Sequence, residues 1–245
     1  MLRLCSGLRE ASVRVMRIEE STAKLIARIP ETRLPKLKSL LIRFESTTYH
    51  GRFMEPFELP SLRTLQTRFD WRNDTLGSDD MTGCYAELIS RSACPIQRLY
   101  IGRNSLELDL ERLLEVAKGL RELSVADHVR VPGEVWDRIG RGEIGLRLDR
   151  LGVSVATVDP LLSMLEARMG VHRSGVCSGD MAVSLCCVQE PSRMDVDGVE
   201  DRFVPVFKEM KLGCPKPSFQ QRWRMECLEK LGLRIVLCHY GFFER

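Results

Sequence analysis

The sequence predicts an α/β fold, an irregular leucine-rich-repeat solenoid with parallel strands on its concave face and helices on its convex face. The main observation is a short pattern that recurs between residues 34 and 155: an apolar residue, two variable residues, Leu, one variable residue and usually another apolar residue. The first residues of the copies are Leu8 (a loose match), Leu37, Leu62, Ile96, Leu120 and Leu148. The intervals between them are 29, 25, 34, 24 and 28 residues. Leucine-rich repeats are about 20 to 29 residues long and contain a strand and a helical segment each, so these intervals fit once loop insertions are allowed.

Each copy of the pattern is predicted to form a strand, because Leu40 and Ile42 alternate with Leu41 and Arg43 between the two faces. Apolar residues at helical spacing predict connecting helices over four segments, at 21–29, 85–92, 109–118 and 158–169. The chain is expected to have three parts, residues 1–170 as the leucine-rich-repeat region, 171–218 as an irregular insertion or loop region, and 219–245 as a terminal helix–strand capping unit.

The composition is that of a folded globular protein, with 44% apolar and 29% charged residues. A net charge of +3 is too small to indicate a nucleic-acid partner. The first 70 residues contain 13 Lys or Arg against 8 Asp or Glu, which is typical of a solvated face and also fits an acidic partner. We see no secretory signal and no membrane-spanning apolar stretch, so we expect a cytoplasmic or nuclear protein, no membrane partner, and reduced cysteines.

Three sequence features resemble chemical motifs without meeting their requirements. Gly140, Gly142 and Gly145 match the dinucleotide-binding fingerprint, but a helix precedes them and a strand follows, so we predict a helix-to-strand turn. The acidic residues 195–201 lack the ligand positions of an EF-hand loop. A zinc site is disfavoured by the spacing of its four possible ligands, His172, Cys177, Cys186 and Cys187.

We therefore expect no cofactor, no metal and no enzymatic activity. The alternative is a small intracellular enzyme that uses a Cys nucleophile or a metal from the irregular region, since nine Cys and four His allow many pairings.

The outward positions of the predicted strands are the candidate functional surface, because solenoids bind partners across that face. Arg43 and Arg68 are outward positions of consecutive strands, Tyr100 is an outward position of the next, and Arg103 follows it. Arg and Tyr are enriched in protein-binding hot spots. We predict that these four residues contact a protein partner; the alternative is that they are solvated surface.

Residues 131–151, which include Trp136, and residues 158–168 resemble the leucine-rich part of fungal F-box proteins. Residues 34–40 and 59–65 are similar to the repeats of that family, and the resemblance covers about residues 30 to 170. It implies a substrate-recruiting module, which in a complete member is joined through an N-terminal F-box to Skp1 and a cullin ubiquitin ligase.

The chain departs from the family because no F-box is recognisable in its first 30 residues. Binding of Skp1 is therefore not implied for this chain. The resemblance implies only the substrate-binding role of the family. A further alternative is a non-functional fragment of a longer protein, or a gene model that is truncated or mis-spliced near residues 170–197.

Overall fold

The main feature of the fold is an open, fully parallel sheet of eight strands. The computed structural model describes residues 7–15, 31–45, 53–69, 81–102, 108–128, 131–155, 157–171, 207–214 and 216–238. The strands of the sheet are β1 (Glu10–Val15), β3 (Ser39–Phe44), β5 (Thr64–Phe69), β6 (Arg98–Ile101), β7 (Glu122–His128), β8 (Arg150–Ser154), β9 (Glu209–Gly213) and β10 (Arg234–Cys238). Two further short strands, β2 (Thr32–Arg33) and β4 (Phe57–Glu58), pair separately in parallel.

Each strand of the main sheet pairs with the next one along the chain, in the order β1-β3-β5-β6-β7-β8-β9-β10. Parallel neighbours need a crossover connection, and most of these crossovers contain a helix. Within the described residues the helices are α1 (Met81–Ser92), α2 (Leu110–Val116), α3 (Gly133–Gly140), α4 (Asp159–Arg168) and α5 (Phe219–Lys230). The α/β class and the parallel strands are thus confirmed, and the expected helices over 85–92, 109–118 and 158–169 correspond to α1, α2 and α4.

One backbone hydrogen bond recurs between consecutive units of the sheet from β1 to β9. The carbonyl of the residue before a strand accepts a hydrogen bond from the amide of the equivalent residue in the next unit, at 2.7 to 2.9 Å. The residues involved are Arg9, Lys38, Arg63, Gln97, Arg121 and Asp149, which are spaced as the sequence pattern is. The next residue in this series is Lys208, whose amide donates to the Asp149 carbonyl at 2.8 Å.

The core lies between the sheet and the helices. In one inward row, the five strands β3, β5, β6, β7 and β8 contribute leucines that are at most 6% exposed, Leu40, Leu65, Leu99, Leu123 and Leu151. Each contributes about 1.5–3 kcal/mol through removal of its side chain from water. The apolar residues of all five helices belong to the same core, so the helices pack on this face of the sheet.

The second inward row contains one polar residue, Thr67, between Ile42 and Ile101. Its side chain is fully buried, and its hydroxyl forms a 2.7 Å hydrogen bond with the equally buried hydroxyl of Tyr85 on α1. The pair satisfies both groups, which would otherwise be buried without a hydrogen bond.

The predicted glycine turn lies between α3 and β8. Gly142 and Gly145 have φ values of 72° and 59°, a region that side chains other than glycine disfavour. The order helix, turn, strand is the reverse of a dinucleotide-binding site, as the sequence indicated.

The sheet continues beyond the point where the repeat pattern was lost. Strand β9 lies within the segment predicted to be irregular, and it pairs with both β8 and β10. Helix α5 covers the predicted residues 219–230, and β10 forms the expected final strand. The predicted helix over 21–29 and residues 172–206 lie outside the described residues.

Two buried arginines connect the last units of the sheet. Arg224 on α5 forms ion pairs with Glu166 and Asp159 on α4, at 2.7 and 2.8 Å. Arg168 at the end of α4 lies 5.3 Å from the centre of the Phe207 ring, and burial lowers its pKa to about 10. Its guanidinium donates to three backbone carbonyls, those of Ile139, Gly145 and Leu146.

Candidate partner-binding face

The face of the sheet away from the helices carries three rows of side chains, set by the strand register. The middle row is Ser12, Leu41, Gln66, Tyr100, Ser124, Gly152, Lys211 and Val236. All of these residues are exposed or half-buried except Gly152, which is buried. One flanking row lies toward the amino ends of the strands and the other toward their carboxyl ends. We call this surface the outward face.

The row toward the carboxyl ends begins with three arginines, Arg14, Arg43 and Arg68, which we call the arginine row. They occupy directly paired positions on β1, β3 and β5. Neighbouring strands lie about 4.8 Å apart, so the three backbones span about 10 Å. Like charges directly opposite each other destabilise a sheet, by an amount comparable to the roughly 0.2–1 kcal/mol that opposite charges contribute.

Protein groups hold the two outer arginines of the row. Nε of Arg14 lies 2.5 Å from the Glu45 carboxylate. With its amide oxygen turned toward the guanidinium, Gln66 accepts hydrogen bonds from Nε and Nη2 of Arg68 at 2.9 and 3.0 Å. Arg43 lies exposed between them. The row thus presents two oriented guanidinium groups around a third one that faces solvent.

Tyr100 lies in the middle row, beside Gln66 on β5 and Ser124 on β7. It is half-buried, and the Glu122 carboxylate on the neighbouring strand lies near its phenol. Burial, followed by the charge and hydrogen bond of Glu122, raises the pKa of Tyr100 above its ordinary value. The phenol therefore stays protonated at neutral pH and acts as a hydrogen-bonding, partly apolar surface group.

The structure brings together three of the four predicted contact residues on one face. Arg43 and Arg68 are neighbours in the arginine row, and Tyr100 is diagonal to Arg68, on the next strand and in the next row. Arg103 lies outside the described residues.

Arg14 is a member of the row that the sequence reasoning did not name. It follows Leu8 by six residues, as Arg43 follows Leu37 and Arg68 follows Leu62. The repeat spacing therefore contained the signal, but the first copy of the pattern is degenerate.

The arginine row ends at Gly102, which follows β6. A Cβ atom built at Gly102 would lie 2.7 Å from the Thr67 carbonyl oxygen and 2.9 Å from Cα of Arg68. The backbone after β6 therefore lies directly against β5, and there is no room for a side chain at this position.

The row toward the amino ends of the strands has a different charge pattern. From β6 to β10 it alternates in sign, through Arg98, Glu122, Arg150, Glu209 and Arg234. We call it the alternating row. Nη1 of Arg150 lies 3.7 Å from the Glu122 carboxylate, and such exposed pairs contribute about 0–1 kcal/mol each. The alternation largely neutralises this side of the outward face.

The described residues contain a small apolar cavity and no cluster of metal ligands. No group of three His, Cys, Asp or Glu is placed to hold a metal within them, and the four possible zinc ligands and the acidic segment 195–201 lie outside them. An apolar cavity of about 10 Å³ is far smaller than ligand pockets of about 300–1,000 Å³, and it is lined by Ala11, Val13, Leu34, Leu37, Leu40, Phe53, Phe57 and Leu59.

The thiols whose pKa is shifted are poor nucleophiles. Burial raises the pKa of Cys94, Cys214 and Cys238, so these side chains are protonated at neutral pH.

None of the helices in the described part of the chain is long and apolar enough to cross a membrane.

Comparisons with models of protein families, with curated proteins and with solved structures found no match to this chain. The functional interpretation therefore depends on the geometry and chemistry of the outward face itself.

Proposed function

We propose that this chain is a leucine-rich-repeat-type solenoid that binds a protein partner across its outward face. The observation that carries the proposal is the sequential order of eight parallel strands with the helices packed on the other face. This arrangement supports a stack of similar units, each of which adds one strand to a continuous surface. The hydrogen bond that recurs between consecutive units from β1 to β9 supports the same interpretation.

The size of the outward face fits a protein ligand. Eight strands about 4.8 Å apart give a width of about 34 Å, and strands of five or six residues are about 17–20 Å long. The resulting area, about 600 Å², approaches the roughly 800 Å² that each partner buries in a standard protein interface.

The chemistry of the face supports a protein partner as well. Its first strands combine arginines with Leu41 and its fourth contributes Tyr100, and Arg and Tyr are the residue types that dominate binding energy in interfaces. The narrower proposal, substrate recruitment as in F-box-type ubiquitin ligase adaptors, depends on the sequence resemblance.

Site-specific photocrosslinking tests the proposal. A photoreactive phenylalanine analogue replaces Leu41 or Ser124 on the outward face, with Glu87 on α1 and Glu134 on α3 as exposed control positions. We expect one partner to be crosslinked from the outward positions and not from the controls, and to bind the purified chain directly. Leu41→Glu should then weaken binding at least about tenfold, which corresponds to 1.4 kcal/mol, while Glu87→Lys leaves it unchanged.

Equal crosslinking from both faces, or a purified partner that tolerates Leu41→Glu, would refute the proposed surface. The narrower adaptor proposal has its own readout. If the partner is a ubiquitination substrate, its half-life in a chase experiment should lengthen when the chain is deleted from the cells that express it.

A further inference from the structure

We infer that the arginine row of Arg14, Arg43 and Arg68 binds an acidic peptide segment of the partner, through two or more carboxylates. The inference rests on the proposed protein-binding function and names the chemistry of the ligand. The charge pattern of the outward face differs between the two ends of the strands.

The sheet neutralises charge in one row and concentrates it in the other. In the alternating row, Glu122 lies between Arg98 and Arg150 on neighbouring strands. In the arginine row, three positive side chains lie side by side, and Glu45 is their one ion-pair partner in the described part of the chain. Repulsion within the row opposes folding, and an anionic ligand is the species that would relieve it.

The outer arginines are oriented before any ligand binds. Glu45 holds Nε of Arg14, and Gln66 holds Nε and Nη2 of Arg68. The remaining guanidinium nitrogens of Arg14 and Arg68 can still donate hydrogen bonds to a ligand. The planar arrangement of these N–H groups matches the two oxygens of a carboxylate. Fixing the side chains in advance reduces the entropy lost on binding.

The spacing of the row fits carboxylates on a peptide. Strands about 4.8 Å apart place the backbones of the three arginines at intervals slightly below the 5–6 Å between side chains three or four residues apart on a helix. Alternate residues of an extended segment, about 6.8 Å apart, are within reach of the long arginine side chains. Leu41 and Gln66, in the adjacent middle row, offer the apolar and amide contacts that a peptide uses and a free anion does not.

The test measures fluorescence anisotropy of a labelled alternating Glu–Ala peptide with the full chain at low salt, with a Gln–Ala peptide as the uncharged control. The row variant carries Arg14→Gln, Arg43→Gln and Arg68→Gln. The matched control variant carries Arg9→Gln, Lys38→Gln and Arg63→Gln, which are exposed residues just before the same three strands. Both variants lose three positive charges from the same units, and circular dichroism establishes that both are folded.

We expect the row variant to bind the Glu–Ala peptide at least about tenfold more weakly and the control variant to stay within about twofold of the wild type. Equal losses in both variants would show attraction by net charge alone and overturn the inference. Tighter binding of a single-stranded RNA homopolymer, lost in the same row variant, would assign the row to nucleic acid and overturn it too.

The result also separates this inference from the proposed function. If the wild-type chain does not bind the Glu–Ala peptide but a partner is crosslinked from Leu41, the acidic ligand is wrong and the binding face stands. If crosslinking from the outward positions fails as well, both are wrong.

Discussion

Replacing Arg224 with methionine should lower the free energy of unfolding by about 3–5 kcal/mol, the cost of breaking a buried ion pair from one side. The Arg224 side chain is 7% exposed, and it forms four hydrogen bonds that join α5 to α4. Two of these go to the Glu166 carboxylate, at 2.7 and 3.0 Å. Methionine preserves the apolar part of the side chain but removes its charge. The Glu166 carboxylate remains buried in this variant and loses its ion pair with Arg224.

The structure indicates which partner accounts for the loss. The side chain of Glu166 is 11% exposed, whereas that of Asp159 is 64% exposed. Solvent screens the pair with Asp159, which therefore contributes about 0–1 kcal/mol. Most of the destabilisation in Arg224→Met should come from the Glu166 carboxylate.

Urea unfolding followed by circular dichroism measures these differences without the screening that a salt denaturant causes. Adding Glu166→Gln to Arg224→Met should recover at least about half of the lost stability, since the buried charge disappears. Asp159→Asn alone should cost less than about 1 kcal/mol. A cost below about 1 kcal/mol for Arg224→Met, or an equal cost for Asp159→Asn, would contradict the role assigned to the buried pair with Glu166.

Three further predictions concern β5, β6 and their neighbours. Gly102→Ala should lower the free energy of unfolding in urea by about 1–3 kcal/mol, because the new Cβ would meet the Thr67 carbonyl. Gly133→Ala is the control, and it should lower the free energy by less than about 0.5 kcal/mol because the space around Gly133 is open. Tyr85→Phe should cost about 1–3 kcal/mol by removing the buried hydrogen bond, and adding Thr67→Val should restore part of it. The pKa of Tyr100 is raised in the folded chain, so its contribution to stability is fully present below the unfolded pKa of about 10 and is lost as the pH rises through the folded pKa. Tyr100→Phe removes this titration, so the free energy of unfolding in urea should fall less steeply at alkaline pH than in the wild type.

The regular part of the fold was accessible from sequence because each unit repeats the same burial pattern. Leucines at fixed positions, such as Leu65 and Leu99, predict both the strand and the face that it buries. The helix over 219–230 was equally accessible, since Ser218 and Gln221 form a capping box at its start.

The ends of the sheet were harder to predict because their units use other apolar residues. Strand β1 places Ala11 and Val13 where its neighbours have leucine and isoleucine, so the first copy of the pattern is weak and Arg14 was not recognised. Strand β9 belongs to a copy in which Phe207 and Met210 replace the first two leucines of the pattern. Lys208 follows Asp149 by 59 positions, and this long interval also breaks the regular spacing of the pattern.

The candidate site required the register between strands, which no local pattern contains. The sequence indicates that Arg43 and Arg68 face outward, but their position side by side depends on the alignment of β3 with β5. The orientation of Arg68 by Gln66 and the effect of Glu122 on Tyr100 depend on side-chain geometry that appears only in the folded chain.

Stability and recognition should therefore be separable in this protein. The main contacts in the fold run between adjacent strands and between adjacent helices. Strand β3 lies at the centre of the arginine row, whereas β10 follows the helix that carries Arg224. The two strands are about 29 Å apart across the sheet. A change at Arg224 acts on the α4–α5 junction, so the Arg224→Met variant should bind the Glu–Ala peptide within about twofold of the wild type wherever it remains folded. Weaker binding in proportion to its lost stability would mean that the sheet unfolds as one cooperative unit and that the arginine row is not independent of the last helix.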